Sequence, residues 1–366
     1  MARRAFLAAL SLLPCLPARA DTIRLVDGTS LQDVEVLAEQ LDGVTYRRKG
    51  RGSEERLDAE RVLEIERERL PAPLEQAERL VERDAIQKGI ALLQRFAANP
   101  TEAQRAKQDW AVAHALARAM HLQLAQGELA SAIESANLLQ AQAPQSRHVP
   151  SALLAKAGAQ RALGEASGAQ ATLDALRDLI AARHLGARWS LELDIARLQG
   201  YAELSASARR DRLGEIAEQA GSAWPPVRNR ALLLEAESFL EGSAPDFANA
   251  RALFERTLAE PIAEDDTLAR AHAGLGECQL QAAEQRLAAG ADATAELRAA
   301  LLSSMRVVVL YREQAELAAK CMFLAARACE LLGDEVSKAD ARRLIAALLQ
   351  RHPTSKWAAL AQESRR

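Results

Sequence analysis

The sequence predicts a mostly α-helical protein, an α-solenoid of about seven helix pairs preceded by a small all-β barrel. Three observations carry that expectation. A phrase recurs: Ala132 is followed twelve residues later by Pro144, and Ala341 twelve residues later by Pro353. After each proline come a serine (Ser146, Ser355), a base (Arg147, Lys356) and a ring (His148, Trp357). Self-similarity between helical segments is the mark of stacked repeats. From about residue 70 onward, alanine and leucine recur at helical spacing, and these are the strongest helix formers. Residues 22–68 instead alternate with period two around Asp27-Gly28 and Asp42-Gly43, the pattern of strands and tight turns.

The first twenty residues have the form of a leader. Arg3 and Arg4 open it, Ala5 to Leu16 is apolar, and Ala18-Arg19-Ala20 is a small-x-small site. The expectation is a signal peptide, 1–20, cleaved after Ala20, and a periplasmic or secreted protein. Arg3-Arg4-Ala5-Phe6-Leu7 also fits a twin-arginine signal. Cys15 fits a lipoprotein box poorly, because Pro14 stands where a small residue is needed. Losing Arg3, Arg4 and Arg19 takes the formal charge from −3 to −6, which argues against a nucleic-acid partner. No later stretch has the length and apolarity of a transmembrane helix. Cys278, Cys321 and Cys329 remain; an odd count without CxxC spacing is no disulfide framework. A bridge from Cys278 to Cys321 or to Cys329 stays open.

In the β segment (21–69), Ile23 and Leu25, then Val34, Val36 and Ala38, then Val44 and Tyr46, give alternating strands. Leu57, Val62 and Ile65 close it. The stretch Ile23 to Val44 resembles an SH3-like or Sm-like barrel. Nucleic-acid binding, common among Sm-like proteins, is not expected without a basic, aromatic surface. The expected role is a structural cap on the first helix, leaning on the helices that follow.

Arg67 to Pro73 is a charged, proline-punctuated boundary, and residues 70–366 form the helical domain. The expected pairs are 73–83 with 85–98, 103–126 with 128–142, 148–163 with 166–183, and 187–204 with 206–220. The series continues with 227–241 and 246–259, 266–289 and 293–312, and 315–332 and 335–351. A short capping helix follows Ser355. Gly127, Gly164, Gly242, Gly290 and Gly333 mark helix ends. Ala250 with Phe254, and Ala341 with Ile345, place a small residue one turn before a large one. Gly276 should permit a further close crossing.

On these residues the chain resembles the tetratricopeptide-repeat family, whose unit has a small residue in its second helix and a proline about twelve positions later. Ala132/Pro144 and Ala341/Pro353 match in full; Ala250/Pro261 and Gly89/Pro100 fall one short. The pairs run to about 37–45 residues against the family's 34. The Pro-x-Ser-base phrase is similar to elongated repeats of envelope-associated proteins. The resemblance implies a surface for protein or peptide partners, with Arg270 and Glu277 as candidate partner-binding residues on the concave face.

Residues with catalytic potential do not converge. His114 and His121 share a helix face but stand about 10 Å apart along it, too far to grip one metal. Glu264-Asp265-Asp266 precedes a helix, where carboxylates cap and complement the dipole. No nucleophile elbow, phosphate loop or dinucleotide motif is present. The expectation is a non-enzymatic interaction scaffold of the cell envelope, without cofactor or metal, binding a partner protein through the solenoid groove. An accessory subunit of an envelope enzyme and a cell-wall or polysaccharide binder are the alternatives.

Overall fold

The computed structural model describes residues 20–50, 52–99, 102–200, 204–260 and 262–363, with backbone alone at 102–109. The expected leader therefore lies outside the described residues but for Ala20. Five strands come first: β1 (Asp21–Leu25), β2 (Ser30–Glu39), β3 (Gly43–Arg48), β4 (Glu54–Asp58) and β5 (Val62–Glu66). They form one antiparallel sheet in the order β4-β3-β2-β1-β5. The alternating residues Ile23, Leu25, Val34, Val36, Val44, Tyr46, Val62 and Ile65 share its buried face. At the first turn the Asp27 carboxylate accepts from Thr29 N at 2.9 Å and from Thr29 Oγ1 at 2.6 Å.

The expected barrel does not close. The sheet stays open, with β4 and β5 as its two edges, joined by a single 3-10 turn at Ala59–Arg61. Closure needs strands long and tilted enough for the two edges to meet in register. Here both edge strands have only five residues. The segment completes its burial against the helices instead: Leu41, in the β2–β3 turn, is 3 % exposed and packs with Val149, Leu153, Leu193 and Ala196.

Fifteen helices follow among the described residues. The pairs are α1 (Ala72–Glu82) with α2 (Ile86–Ala98), α3 (Glu102–Ala125) with α4 (Leu129–Gln142), and α5 (Val149–Ala162) with α6 (Ala166–Arg183). Next come α7 (Ala187–Leu198) with α8 (Ala206–Ala220), and α9 (Pro225–Ser238) with α10 (Phe247–Ala259). The last pairs are α11 (Asp265–Ala288) with α12 (Thr294–Leu310) and α13 (Ala315–Leu332) with α14 (Glu335–Arg351), and α15 (Lys356–Glu363) caps the stack. All seven expected pairs are present, most ends within two or three residues. α7 stops earlier than expected, and α9 starts earlier, at Pro225-Pro226. Proline is tolerated there because first-turn N–H groups have no intrahelical partner. The five expected stop glycines all have positive φ, between +72° and +88°, and Gly333 is the left-handed cap of α13.

The recurring phrase is a turn with a lid. Ser146 N donates to Ala143 O at 3.0 Å, and Ser355 N to His352 O at 3.1 Å. The serine hydroxyls accept from His148 N and Ala358 N, each at 3.2 Å, and so start the next helix. The ring that follows folds back onto the preceding first helix. His148 meets His114 with centroids 6.4 Å apart, and Trp357 meets Phe323 at 5.6 Å. The two ring pairs have the same separation in sequence.

Small residues set the crossings as their positions suggested. Ala132, Ala250 and Ala341 are buried, and a Cβ on Gly276 would lie 2.7 Å from Ser304 Oγ. A polar device escaped the pattern reading. In three pairs a buried glutamine of the first helix meets a hydroxyl of the second: Gln123 with Ser135 (2.8 Å), Gln160 with Thr172 (2.7 Å) and Gln279 with Ser303 (2.9 Å). Turned so that its nitrogen faces acceptors, Gln123 donates to Ser135 Oγ, Ala119 O and Ser131 O and accepts from Gln94. Satisfied in this way, a buried amide costs little and fixes the register of the pair.

The stack curves until its ends meet. Arg118 of α3 bonds Glu313, between α12 and α13, from Nη1 (3.2 Å) and Nη2 (3.1 Å). Gln126 Nε2 donates to Glu313 O at 2.8 Å, and Arg312 donates to Glu82 O. The sheet sits on the rim made by the starts of first helices rather than on α1 alone. Arg67 lies 4.3 Å over the Trp110 ring, Arg147 bonds Glu39 at 2.8 Å, and Arg188 donates to Glu60 O at 3.1 Å. Side chains press on glycines there: a Cβ on Gly28 would lie 2.7 Å from Ile262 Cδ1, and one on Gly186 within 2 Å of Glu60 Oε1.

Candidate functional site: an enclosed polar lumen

First helices form the inner wall, so residues three, four or seven apart on one of them point into the same space. On α3 these are His114, Arg118 and His121. Arg118 bonds Glu78 of α1 through Nε (3.1 Å) and Nη2 (3.1 Å) as well as Glu313, which satisfies its planar fork. On the facing wall Arg230 of α9 donates to Glu192 of α7 at 2.7 Å and also pairs with Glu264 at the start of α11. Arg188 stands 3.8 Å from Glu264.

Two cations and two carboxylates balance in this buried group. Glu192 and Glu264 hold the Arg230 guanidinium firmly protonated. Burial and then the neighbouring Glu264 push Glu192 up, against the pull of Arg230. Arg230 and Arg188 overcome burial at Glu264 and hold it below the usual carboxylate range. Glu264 therefore does not cap α11, as its position before the helix suggested, because its carboxylate turns away to Arg230. Asp265 and Asp266 occupy the first turn and complement the dipole.

His121 faces this space from α3. Its side chain is exposed, yet Arg118 on its own helix and Glu264, Asp266 and Arg230 on facing elements act on its charge. Desolvation by the surrounding helices, chiefly, lowers the pKa values of His114, His121 and His148; Arg147 and the other two histidines lower His148 further. These rings are neutral donors and acceptors at neutral pH. Among the described residues no group of three or more histidine, cysteine or acidic side chains is placed to hold a metal.

The two candidate partner-binding residues lie on α11 with partners of their own. Arg270 is held by Glu237, with Asp266 at 3.6 Å, and Glu277 accepts from Lys320 at 2.6 Å. They belong to adjacent ion pairs along the wall rather than to one cluster. Spacing made His114 and His121 legible as one face; Arg118, between them, was not singled out. The Glu192–Arg230–Glu264–Arg188 group had no local signal, since its members come from three first helices.

Cys278, Cys321 and Cys329 are free and buried. Burial raises the Cys278 and Cys321 thiols to about 12, and it raises Cys329 as well. A raised pKa leaves almost no thiolate near neutrality. Iodoacetamide at pH 8 is expected to leave the native mature chain, which lacks Cys15, unlabelled and to modify all three of its cysteines once urea unfolds it, as read by intact mass. Native labelling, or fewer than three adducts after unfolding without reductant, would contradict this.

No protein-family model matches the chain, and no curated protein is significantly similar to it. No helix among the described residues is long and apolar enough to cross a membrane.

Proposed function

We propose that this chain is an exported, non-enzymatic interaction scaffold of the cell envelope whose tetratricopeptide-like pairs hold a segment of a partner protein in the lumen. The observation that carries this reading is the accessible His121 ringed by charges from other helices. Such a wall offers many hydrogen-bond donors and acceptors and no activated nucleophile. Repeat solenoids bind extended segments through several modest contacts spread along such a surface. The sheet covers the rim at the starts of α3, α5, α7 and α11, so the approach is from the end of α3.

Export rests on the leader-like start, Arg3-Arg4 through Ala20. Cleavage after Ala20 would leave Asp21 as the first residue. Its carboxylate accepts from Val36 N at 3.1 Å and Glu68 N at 2.9 Å, so a cut further on would remove a bond that anchors the sheet.

The test is a photoreactive amino acid placed at His121 of the chain expressed with its leader. Irradiated cells are expected to give one discrete polypeptide adduct in the envelope fraction. The same probe at Arg298, on the outer face of α12, should give none. Equal adducts from both positions, or from Arg298 alone, would place binding outside the lumen. A glycan adduct would favour polysaccharide binding.

A further inference from the structure

A second site lies at the seam, away from the inner wall. Where the α1–α2 turn faces the ends of α12 and α14, a cleft of about 370 Å³ remains. That volume falls within the range of small-molecule sites, about 300–1,000 Å³. Its floor is apolar, made by Ile86 from α2, Val308 from α12, and Ala318 and Met322 from α13. Its edges are basic: Lys88, Arg312 and Arg351 line it, and among the described residues none has a carboxylate within the 4.0 Å of an ion pair. Cations along the inner wall behave differently, since Arg118, Arg230, Arg270 and Lys320 all have acidic partners. Asp84 is the one acid in the lining, and His352 completes it.

The start of α2 faces the same space. Its cap residue, Ala85, offers no side-chain acceptor, and its first turn holds no acid. The helix dipole therefore adds to the positive field of the three cations. A basic cluster without carboxylate partners, above an apolar floor, selects a ligand with one anionic end and one oily end. A phosphate or sulfate alone would leave the floor unfilled; a neutral chain would leave the cations unanswered.

We propose that the seam cleft binds a carboxylate carried on a short apolar chain, its head between Lys88, Arg312 and Arg351 and its tail on Ile86, Val308 and Met322. The lining comes from the first helix pair on one side and from α12, α13 and the end of α14 on the other, so the occupant spans the closure of the solenoid and favours the closed form. The chemistry has two sources, a free amphipathic carboxylate or the last residue of a polypeptide ending in an apolar side chain. This site stands independently of the lumen reading, because none of its lining residues belongs to the inner-wall ion pairs.

The experiment is calorimetric titration of the mature chain with octanoate, octanol, the tetrapeptide Gly-Gly-Leu-Leu and its C-terminal amide. One equivalent of octanoate, of the free tetrapeptide, or of both should bind; which of them binds identifies the source. Octanol and the amide should bind at least tenfold more weakly. The double variant Lys88→Glu, Arg351→Glu should lose at least tenfold in affinity. Both residues are exposed, so its melting temperature without ligand should match the parent's. Should that variant be unstable, Arg351→Gln at higher salt serves instead, with a smaller loss in the same direction. Hydrogen exchange should slow at residues 82–90 and 308–318 together on binding. No saturable binding by either carboxylate, equal binding of octanol and octanoate, or affinity indifferent to the charge reversals would overturn the proposal.

Discussion

Replacing Glu39 by alanine is expected to destabilise the folded chain by about 3–5 kcal/mol, the usual consequence of stranding buried charge. Glu39 ends β2 and is 7 % exposed, between Arg147 (12 %) and Arg67 (9 %). Arg147 Nε donates to it at 2.8 Å, and Arg67 clamps its other oxygen. Arg67 also reaches Val36 O at 3.0 Å and Asp21 at 3.2 Å, so one carboxylate ties strand, boundary segment and helix rim together. Without it two guanidiniums face each other in a poorly solvated site. Because Arg67 lies over Trp110, indole fluorescence should change in the same urea transition that reports stability.

The pH dependence has a definite sign. Burial raises the Glu39 pKa, but Arg147 and Arg67 together outweigh it and hold the carboxyl below its ordinary 4.5. A depressed folded pKa adds stability that is complete above the unfolded value and is lost as pH falls through the folded one. The gap between parent and Glu39→Ala should therefore be largest at neutral pH and shrink below about pH 4.5. Equal unfolding midpoints for the two chains at pH 7 would show that this cluster does not hold the sheet to the helices.

The second large effect is expected at the α10–α11 crossing. Phe254 is fully buried, and its ring lies so close to Gly274 that a Cβ there would fall 2.2 Å from Cζ. Phe254→Ala should cost about 3–5 kcal/mol, through lost burial and the cavity left behind. Gly274→Ala should cost about 1–3 kcal/mol, because the methyl drives the ring from its place. The two changes share one volume, so the alanine at 274 should be nearly harmless once Phe254 is gone. A double-mutant cycle by urea denaturation should show a coupling of at least about 1 kcal/mol. Simple additivity would mean that the ring and the glycine are not the contact that sets this crossing.

Helix pairs, stops and turns were legible because each is written within a dozen residues. Gly333 needs only its own freedom to adopt φ of +77°, and Pro353 ends a helix whatever lies across the molecule. Ala250 and Ala341 were read as crossing points because Phe254 and Ile345, one turn further on, are large. The candidate site was legible only in part. His114 and His121 share a face by spacing alone, whereas Arg118 between them and the buried pairs Gln123–Ser135 and Gln160–Thr172 sit among ordinary polar residues.

By itself the sequence determined which segments are strands and helices, where each stops, and that the helices pair in series. Tertiary structure alone decided the rest. The sheet stays open because its edge strands are short and Leu41 finds its burial in the core of α5, α6 and α7. Arg147 meets Glu39 across 108 residues, and Arg118 meets Glu313 across 195. The physical reason is that curvature accumulates. Each pair rotates slightly on the last, and only the sum over the stack brings its ends together and sets which charges face one another across the lumen.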